Sequence, residues 1–398
     1  MDPIANPFSP GAGTPPPELV GRDDLILQVD IALGRLRAGR SAKGVILLGL
    51  RGVGKTVLLC HLHHRAQIAG CRTLQVEVPE DKTLGELLVP HLRRLLLELD
   101  ALEGLSQKVK RALRVLKSFV SSARMKLGDL ELTIEPERGS ADSGDLEADL
   151  GALLGAVGEA AQDRGTAVVL CLDEIQYLAT KDLGALVMAL HQAGQRGLPL
   201  ILLGAGLPTL AAQIGRAKTY AERLFDFPAL EALTPAQAQR ALQGPVEAQG
   251  AAFVAEALDE LVAVTGGYPY FLQQWGYEAW NLAVGPTITL DDALKASGAA
   301  RRNLDTGFFR VRLARLTGRE RDYVRALADL GTGPQRSGDV ATRLGIPVTT
   351  AAPIRNSLIR KGMLYSPSHG RTAFTVPHFD DYLRRTVWPE DSRTSPRE

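Results

Sequence analysis

Eight consecutive residues, Gly49-Leu50-Arg51-Gly52-Val53-Gly54-Lys55-Thr56, combine side-chain types and spacing that suit phosphate binding. Backbone N–H groups wrap a phosphate only where the chain reaches conformations that a Cβ hinders, and glycine stands at Gly49, Gly52 and Gly54. Lys55 would set a compact positive charge against the β and γ phosphates, and the Thr56 hydroxyl would ligate Mg²⁺. Such a loop needs a strand before it and a helix after it. Val45-Ile46-Leu47-Leu48 is an apolar run, and Val57 to Leu62 has a helical pattern. Strand, glycine loop and helix in the spacing G-x-x-x-x-G-K-[ST] make a P-loop, whose helix turns its positive dipole end toward the phosphates. The alternative is a chance glycine turn ahead of a helix, and the match at every position argues against it.

A phosphate loop alone says binding; an acidic pair says hydrolysis. Asp173-Glu174 closes the apolar run Ala167 to Leu172. At the end of a strand, Asp173 would order the Mg²⁺ shell, and Glu174 would polarise a water for attack on the γ phosphate. A helix cap is the competing role for the pair. The run itself suits a strand buried on both faces of a parallel sheet. Further strands fit Arg72 to Val78, Leu198 to Leu203 and Leu224 to Phe227, with helical patterns between them such as Leu146 to Ala161 and Leu183 to Gln195. Strands and helices in alternation predict a parallel α/β sheet.

At 398 residues the chain has room for two or three domains, and 45% hydrophobic content supports real cores. A net charge of +1 provides no global field toward nucleic acid, so any such role rests on local patches. Cys60, Cys71 and Cys171 lie in apolar settings without C-x-x-C spacing and read as buried thiols of a reducing compartment. Neither a signal-peptide pattern nor a long apolar run is present, so the expectation is a soluble, cytoplasmic protein with no membrane contact. His61, His63 and His64 follow the P-loop, but without a second ligand cluster they read as surface or packing residues rather than a metal site.

Read in order, residues 1–17 hold six prolines and are expected to form a disordered arm. Residues 18–232 form the P-loop domain, its first helix opening at Asp23 or Asp24. A helical insertion covers about 84–145. Its middle, 105–127, carries seven basic residues and no acid over the apolar stripe Leu105, Val109, Leu113, Leu116 and Val120. It is followed by an acidic segment, with a short strand around Leu130, Leu132 and Ile134. The basic helix could serve DNA, a membrane surface or a protein partner. A solvated helix neutralised by the acidic segment is the favoured reading.

Residues 233–312 read as a helical lid, with Thr234 as N-cap and Pro235 behind it. Gly266-Gly267 breaks one helix, and Tyr268-Pro269 starts the next, where Trp275, Tyr277 and Trp280 are expected in the lid core. Residues 313–388 predict helix, helix, turn, helix and hairpin, the order of a winged helix-turn-helix: a helix after Thr317, then Gln335 to Leu344, Val348 to Gly362, and strands 363–365 and 372–376. Six Arg/Lys against one acid between Gln335 and Phe374 make a footprint suited to duplex DNA. Arg355, Arg360, Lys361 and Arg371 are the candidate contacts. Residues 389–398 form a polar, disordered tail.

Taken together, the chain resembles the AAA+ and STAND branches of P-loop ATPases, including the archaeal-type and replication-initiator-like members. Leu19-Val20-Gly21-Arg22 is similar to the segment flanking adenine in those proteins. The P-loop and Leu172-Asp173-Glu174 are similar to their Walker A and Walker B motifs. Gly204 to Pro208 falls where the sensor 1 strand ends, with Thr209 the nearest hydroxyl. Ala221-Glu222-Arg223-Leu224-Phe225 resembles the segment bearing an arginine finger, with Arg216 in reserve, and Gly266 to Pro269 resembles the nucleotide-facing lid motif.

The resemblance implies a P-loop NTPase α/β parallel sheet with a helical lid, followed by a winged helix-turn-helix domain. It implies an ATPase with ATP and Mg²⁺ as cofactors. Catalytic candidates are Glu174, Lys55 and Arg223; the metal ligands are Thr56 and Asp173. Nucleotide contacts fall to Gly49, Gly52, Val53, Gly54, Lys55, Thr56, Val57, Val20, Arg22 and Pro269. ATP-dependent self-association would bring Arg223 to a neighbour's site. The winged helix would act on DNA, or serve as a structural hinge in a signalling or defence switch.

Overall fold

The computed structural model describes residues 1–11, 13–101, 106–122 and 135–386. The expected strand around Leu130, the basic residues Arg124 and Lys126, and the tail 389–398 lie outside the described residues.

The sheet that carries the P-loop is parallel. Its strands are β1 (Gly44–Gly49), β2 (Arg72–Glu77), β3 (Val168–Asp173), β4 (Leu200–Gly206), β5 (Phe225–Asp226) and β6 (Ala229–Leu230). Their order is β2-β3-β4-β1-β5, with β6 continuing the edge beside β1. The register runs Val45 against Leu203, Leu170 against Leu202, and Glu77 against Asp173. Strands β1, β3 and β4 are buried along their whole length, as their unbroken apolar runs require of a sheet covered on both faces. Because β4 lies between β1 and β3, the loops after β1 and β3 open side by side across a gap at the same end of the sheet. Strand β6 was not foreseen; Phe227-Pro228 interrupts the pairing, and the two residues beyond it pair with β1 again.

Helices α1 (Asp23–Arg37) and α2 (Lys55–Ile68) pack on one face, with Val29, Leu33, Leu58 and Leu62 in a shared core. The opposite face is covered by α3 (Leu84–Ala101), α4 (Gln107–Ser122), α5 (Leu146–Asp163), α6 (Thr180–Gln195) and α7 (Leu210–Ala217). The basic helix is α4. Of its apolar stripe, Val109, Leu113 and Leu116 are buried, joined by Phe119, while Val120 is half-buried and Leu105 lies outside the described residues. Lys108 and Arg111 pair with Glu159 on α5, while Arg111 and Arg114 pair with Glu137 of the acidic segment. Among the described residues, three of its basic side chains, Lys108, Arg111 and Arg114, are thus paired within the chain.

The lid comprises α8 (Pro235–Glu247), α9 (Ala255–Thr265), α10 (Pro269–Leu282) and α11 (Leu290–Asn303), stitched by the short parallel pair β7 (Ala252–Phe253) and β8 (Thr287–Ile288). Thr234 caps α8 in a reciprocal capping box with Gln237. Trp275 and Trp280 are buried, with the Trp275 indole donating to the Ser297 hydroxyl at 3.0 Å.

The segment 1–17, expected as a structureless arm, is instead seated on the lid where it is described. Phe8 is 1% exposed and rests on Gly276 of α10, where a Cβ would stand 2.7 Å from the ring. The Asn6 amide donates to Tyr277 O and Asn281 Oδ1, and Trp280 Nε1 donates to Asp2 O at 2.8 Å. Proline content stiffens the arm and removes donors, but it does not prevent anchoring by one aromatic and a few polar contacts.

From α11 the chain passes through a π-helical turn, Leu304–Phe309, into α12 (Arg310–Ala314). The C-terminal unit follows: α13 (Gly318–Asp329), β9 (Gln335–Arg336), α14 (Ser337–Leu344), α15 (Val348–Arg360), the hairpin β10 (Leu364–Tyr365) and β11 (Arg371–Phe374), then α16 (Phe379–Arg385). Gln335-Arg336, expected to open a helix, instead pairs antiparallel with β11 and completes a sheet of order β10-β11-β9. Helix α16 was not foreseen; Phe379, Tyr382 and Leu383 bury it against the rest of the unit. No described helix is long and apolar enough to cross a membrane.

Candidate functional site

The chain between β1 and α2 turns through Gly52 at φ +88° and Gly54 at φ +92°, backbone that only glycine adopts without strain. Gly49 has a different duty. A Cβ there would meet Leu230 O at 2.7 Å, so this glycine lets β6 approach as β1 ends, and it does not line the cavity. Lys55 opens α2, is 5% exposed, and donates from Nζ to Leu50 O at 3.0 Å. Burial pulls its ammonium below the ordinary lysine range, while Glu174 and Asp173 act to hold the proton on. The Thr56 hydroxyl donates to Asp173 Oδ2 at 2.6 Å. Asp173 is buried at the end of β3, and burial raises its carboxyl despite the bonds from Thr56 and the Glu174 amide.

Glu174 follows with φ +52°, the left-handed region where a non-glycine residue is strained. Its carboxylate accepts from Gln176 Nε2, and Gln176 Oε1 accepts from the Leu207 amide at 3.0 Å. Gln176 thereby ties Glu174 to the end of β4, close in the chain to Thr209, the hydroxyl nearest the expected sensor 1 position. Gly206 leaves room for it, since a Cβ there would stand 2.7 Å from the glutamine.

These groups open onto a cavity of about 400 Å³, within the range of nucleotide-sized sites. Of the sequence candidates, Gly52, Val53, Gly54, Lys55, Thr56, Val57, Val20, Arg22, Pro269 and Glu174 line it. Arg22 is also a brace, its Nη2 donating to Glu231 O at 2.9 Å and to Val53 O at 3.4 Å. Gly267, at φ +69°, brings the lid onto the sheet domain: its carbonyl accepts from the Leu233 amide, and a Cβ would clash with Leu233 O. Tyr268 and Tyr270 then reach the loop itself. The Tyr268 hydroxyl donates to Arg51 O, and the Tyr270 amide donates to Gly52 O at 3.1 Å. The arm closes another wall with Ser9, Gly11, Gly13 and Pro16.

Does this set suit Mg²⁺-ATP? A hydroxyl and a buried carboxylate 2.6 Å apart form the small oxygen donor set that Mg²⁺ accepts when water and phosphate complete its shell. The positive-φ loop, the helix start and Lys55 supply the anion cradle. Among the described residues no group of three or more His, Cys, Asp and Glu is arranged for another metal, and the His63 ring is bonded to the Thr73 hydroxyl.

Other candidates fall elsewhere. Arg223 is exposed in the single turn Ala221–Arg223 ahead of β5, and β5 pairs with the start of β1 at Gly44. The P-loop leaves the far end of β1, roughly 16 Å away at ~3.3 Å per residue, so Arg223 does not reach its own subunit's site. In the C-terminal unit Arg355 is an internal pin. Its Nε donates to Thr372 Oγ1 and its Nη2 to Ser366 Oγ, both at 2.8 Å. Lys361 pairs with the buried Glu320 at 2.7 Å. Arg360 and Arg371 are exposed.

The sheet order, the positive-φ glycine loop and the acidic strand end define the fold as that of a P-loop NTPase. Residues 18–203 match the AAA ATPase domain family, so the chain carries an AAA ATPase domain; residues 306–383 match a Domain of unknown function (DUF8462). Similar solved structures include the Walker-type ATPase of Pyrococcus abyssi, at 17% identity over 92% of this chain and 96% of that one, with a TM-score of 0.53. The Orc1 protein of Aeropyrum pernix, solved in complex with DNA, is 15% identical over 95% of each chain, with a TM-score of 0.46. Cdc6p from Pyrobaculum aerophilum is 17% identical over 97% of each chain, with a TM-score of 0.47. No curated protein matches the sequence.

Proposed function

We propose that the protein is a Mg²⁺-dependent ATPase in which the state of the nucleotide sets how the C-terminal winged-helix unit sits on the P-loop. The observation that carries the ATPase reading is the contact of Thr56 with Asp173 at 2.6 Å, with buried Lys55 on one side and Glu174 in the cavity wall on the other. The loop amides and Lys55 would bind the phosphates, and Thr56 and Asp173 would hold Mg²⁺, which supplies charge neutralisation when bound. Glu174, freed from Gln176, would accept a proton from the attacking water.

The switch reading rests on where the C-terminal unit lies. The Arg51 amide donates to Thr375 O at 3.2 Å, and Val376 contributes to the wall of the nucleotide cavity. A DNA-acting reading retains the exposed Arg360 and Arg371, but Arg355 and Lys361 are engaged inside the unit. Arg223, remote from its own site and exposed, is suited to complete a neighbour's site in an ATP-dependent assembly.

The test is Glu174→Gln. ATP binding is retained and phosphate release falls by about 10²-fold or more, the scale of a lost general base. Unchanged phosphate release would overturn the catalytic assignment. Stimulation of ATPase activity by duplex DNA that disappears in R360E/R371E would favour the DNA-acting reading over the switch.

A further inference from the structure

The N-terminal arm is pinned to the lid at two points, and between them it leaves the lid for the P-loop helix. At the first pin Phe8 fills the notch at Gly276, and the Asn6 side-chain amide bonds Tyr277 O and Asn281 Oδ1. The Ser9 amide adds a bond to Gln273 Oε1 at 3.2 Å. All of these partners lie on α10. At the second pin Glu18 pairs with Arg240 of α8, and Val20 is buried. Between the pins stands Gly13, at φ +72°, where a Cβ would lie 3.6 Å from the Thr56 methyl. Thr56 is the residue whose hydroxyl meets Asp173, so the arm runs against the phosphate end of the cavity, which Gly11, Gly13 and Thr14 help to line.

The stretch between the pins is held differently from the pins themselves. Among the described residues, none from Gly11 to Pro17 makes a hydrogen bond or an ion pair outside the arm. Pro10, Pro15, Pro16 and Pro17 lack backbone donors and fix φ, so the stretch is stiff and moves as a piece. The walls facing it come from the P-loop and the lid, which are packed elements of the fold. A segment pinned by side chains at its ends and bonded nowhere between opens far more readily than such elements. Of the two pins, the Glu18 end continues through buried Val20 and the Arg22 brace into the sheet domain, whereas the Phe8 end depends on one ring and a few polar contacts.

We propose that the arm is a strap across the nucleotide cavity, which lifts at Phe8 and swings about Glu18 each time a nucleotide enters or leaves. The inference rests on the ATP reading above and adds to it the step that controls exchange. A seated strap retains the nucleotide beneath it. The lifetimes of the ATP and ADP states are then set by the unseating of Phe8 as well as by the phosphate contacts.

The experiment follows uptake and release of fluorescent Mg²⁺-ADP by stopped flow, on the full chain. One variant, S9C/Q273C, is joined by a short bismaleimide, so that the arm stays on α10. Wild type treated in the same way controls for reaction at half-buried Cys60. The second variant is F8A. The joined chain should take up and release the nucleotide roughly tenfold or more slowly than the same variant before joining. F8A should release it between about fivefold and a hundredfold faster than wild type, the range set by the burial of one phenylalanine ring, with uptake not slowed.

Uptake and release that joining leaves unchanged overturn the strap while the ATP reading stands. Slower release with unaltered uptake overturns it as well, since it marks a wall that adds contacts without barring the way. If S9C/Q273C fails to fold, F8A decides alone, and release at the wild-type rate overturns the strap. Wild type that binds neither fluorescent ADP nor a fluorescent ATP analogue overturns the ATP reading and this inference with it.

Discussion

Replacing Phe8 by Ala tests whether the N-terminal arm is part of the nucleotide site. The ring is 1% exposed and fits the notch that Gly276 leaves on α10. Full burial of a phenylalanine is worth about 1.5–3 kcal/mol, and truncation in a core that cannot collapse costs about 3–5 kcal/mol. The arm can lift away as a unit rather than leave a void, so about 3 kcal/mol is a reasonable ceiling. The Asn6 and Asp2 contacts that remain are exchangeable with water and oppose detachment weakly. Because Ser9, Gly11, Gly13 and Pro16 line the cavity, a detached arm opens one wall of the nucleotide site.

Apparent affinity scales with the fraction of molecules whose arm is seated, so 3 kcal/mol translates into at most about a hundredfold weaker binding. The assay is a fluorescent-ADP titration of wild type and Phe8→Ala, paired with limited proteolysis of residues 1–17. The expected result is a loss of between about fivefold and a hundredfold in affinity, with faster cleavage of the arm. Unchanged affinity with a readily cleaved arm would refute the coupling. Unchanged cleavage would refute the anchoring itself.

Other outcomes follow from single contacts. Lys55→Ala should abolish measurable nucleotide binding in the same titration while the melting temperature stays within a few degrees, since Lys55 closes a charge gap rather than packing a core. Gln176→Leu frees the Glu174 carboxylate and removes its link to Leu207, so the ratio of phosphate-release rates, variant to wild type, should differ from unity by about threefold or more with nucleotide affinity kept. Burial alone would raise the Glu320 carboxyl, but Lys361, the Thr317 amide and Ser357 together bring it down to about 2. A depressed carboxylate stabilises the fold above its unfolded value near 4.5 and loses that contribution as pH falls toward 2. Acid titration of melting temperature should therefore show a steeper loss over that window in wild type than in Glu320→Gln, which should be less stable at pH 7 by on the order of a few kcal/mol.

Strands β1, β3 and β4 are legible because they are short, nearly unbroken apolar runs buried on both faces. Val45 to Leu48 and Ala167 to Leu172 each lead into a polar loop that only a strand end can position. Helix starts at Thr234 and Thr317 were legible from capping chemistry. The arm was misread because proline content signals an extended backbone, whereas docking was decided by one phenylalanine and a distant glycine, Gly276. Gln335-Arg336 reads as the start of a helix because two residues carry no period, and only pairing with β11 makes them a strand.

At the site, the P-loop and Asp173-Glu174 were legible from spacing. Gln176 and Arg51 were not. Arg51 occupies a motif position open to any residue. Charge counting also does not separate the exposed Arg360 and Arg371 from Arg355, which holds the hairpin, and Lys361, which holds Glu320.

On the reading proposed above, one cavity binds Mg²⁺-ATP between the P-loop, the lid, the arm and the docked C-terminal unit. An experimental structure of the full chain with Mg²⁺ and a slowly hydrolysed ATP analogue tests it most directly. Phosphates are expected along the amides of Gly52 to Thr56, Mg²⁺ at Thr56 beside Asp173, and the base against Val20 and Pro269. Nucleotide bound outside this cavity, or bound in it with Thr56 and Asp173 turned away from the metal, would contradict it.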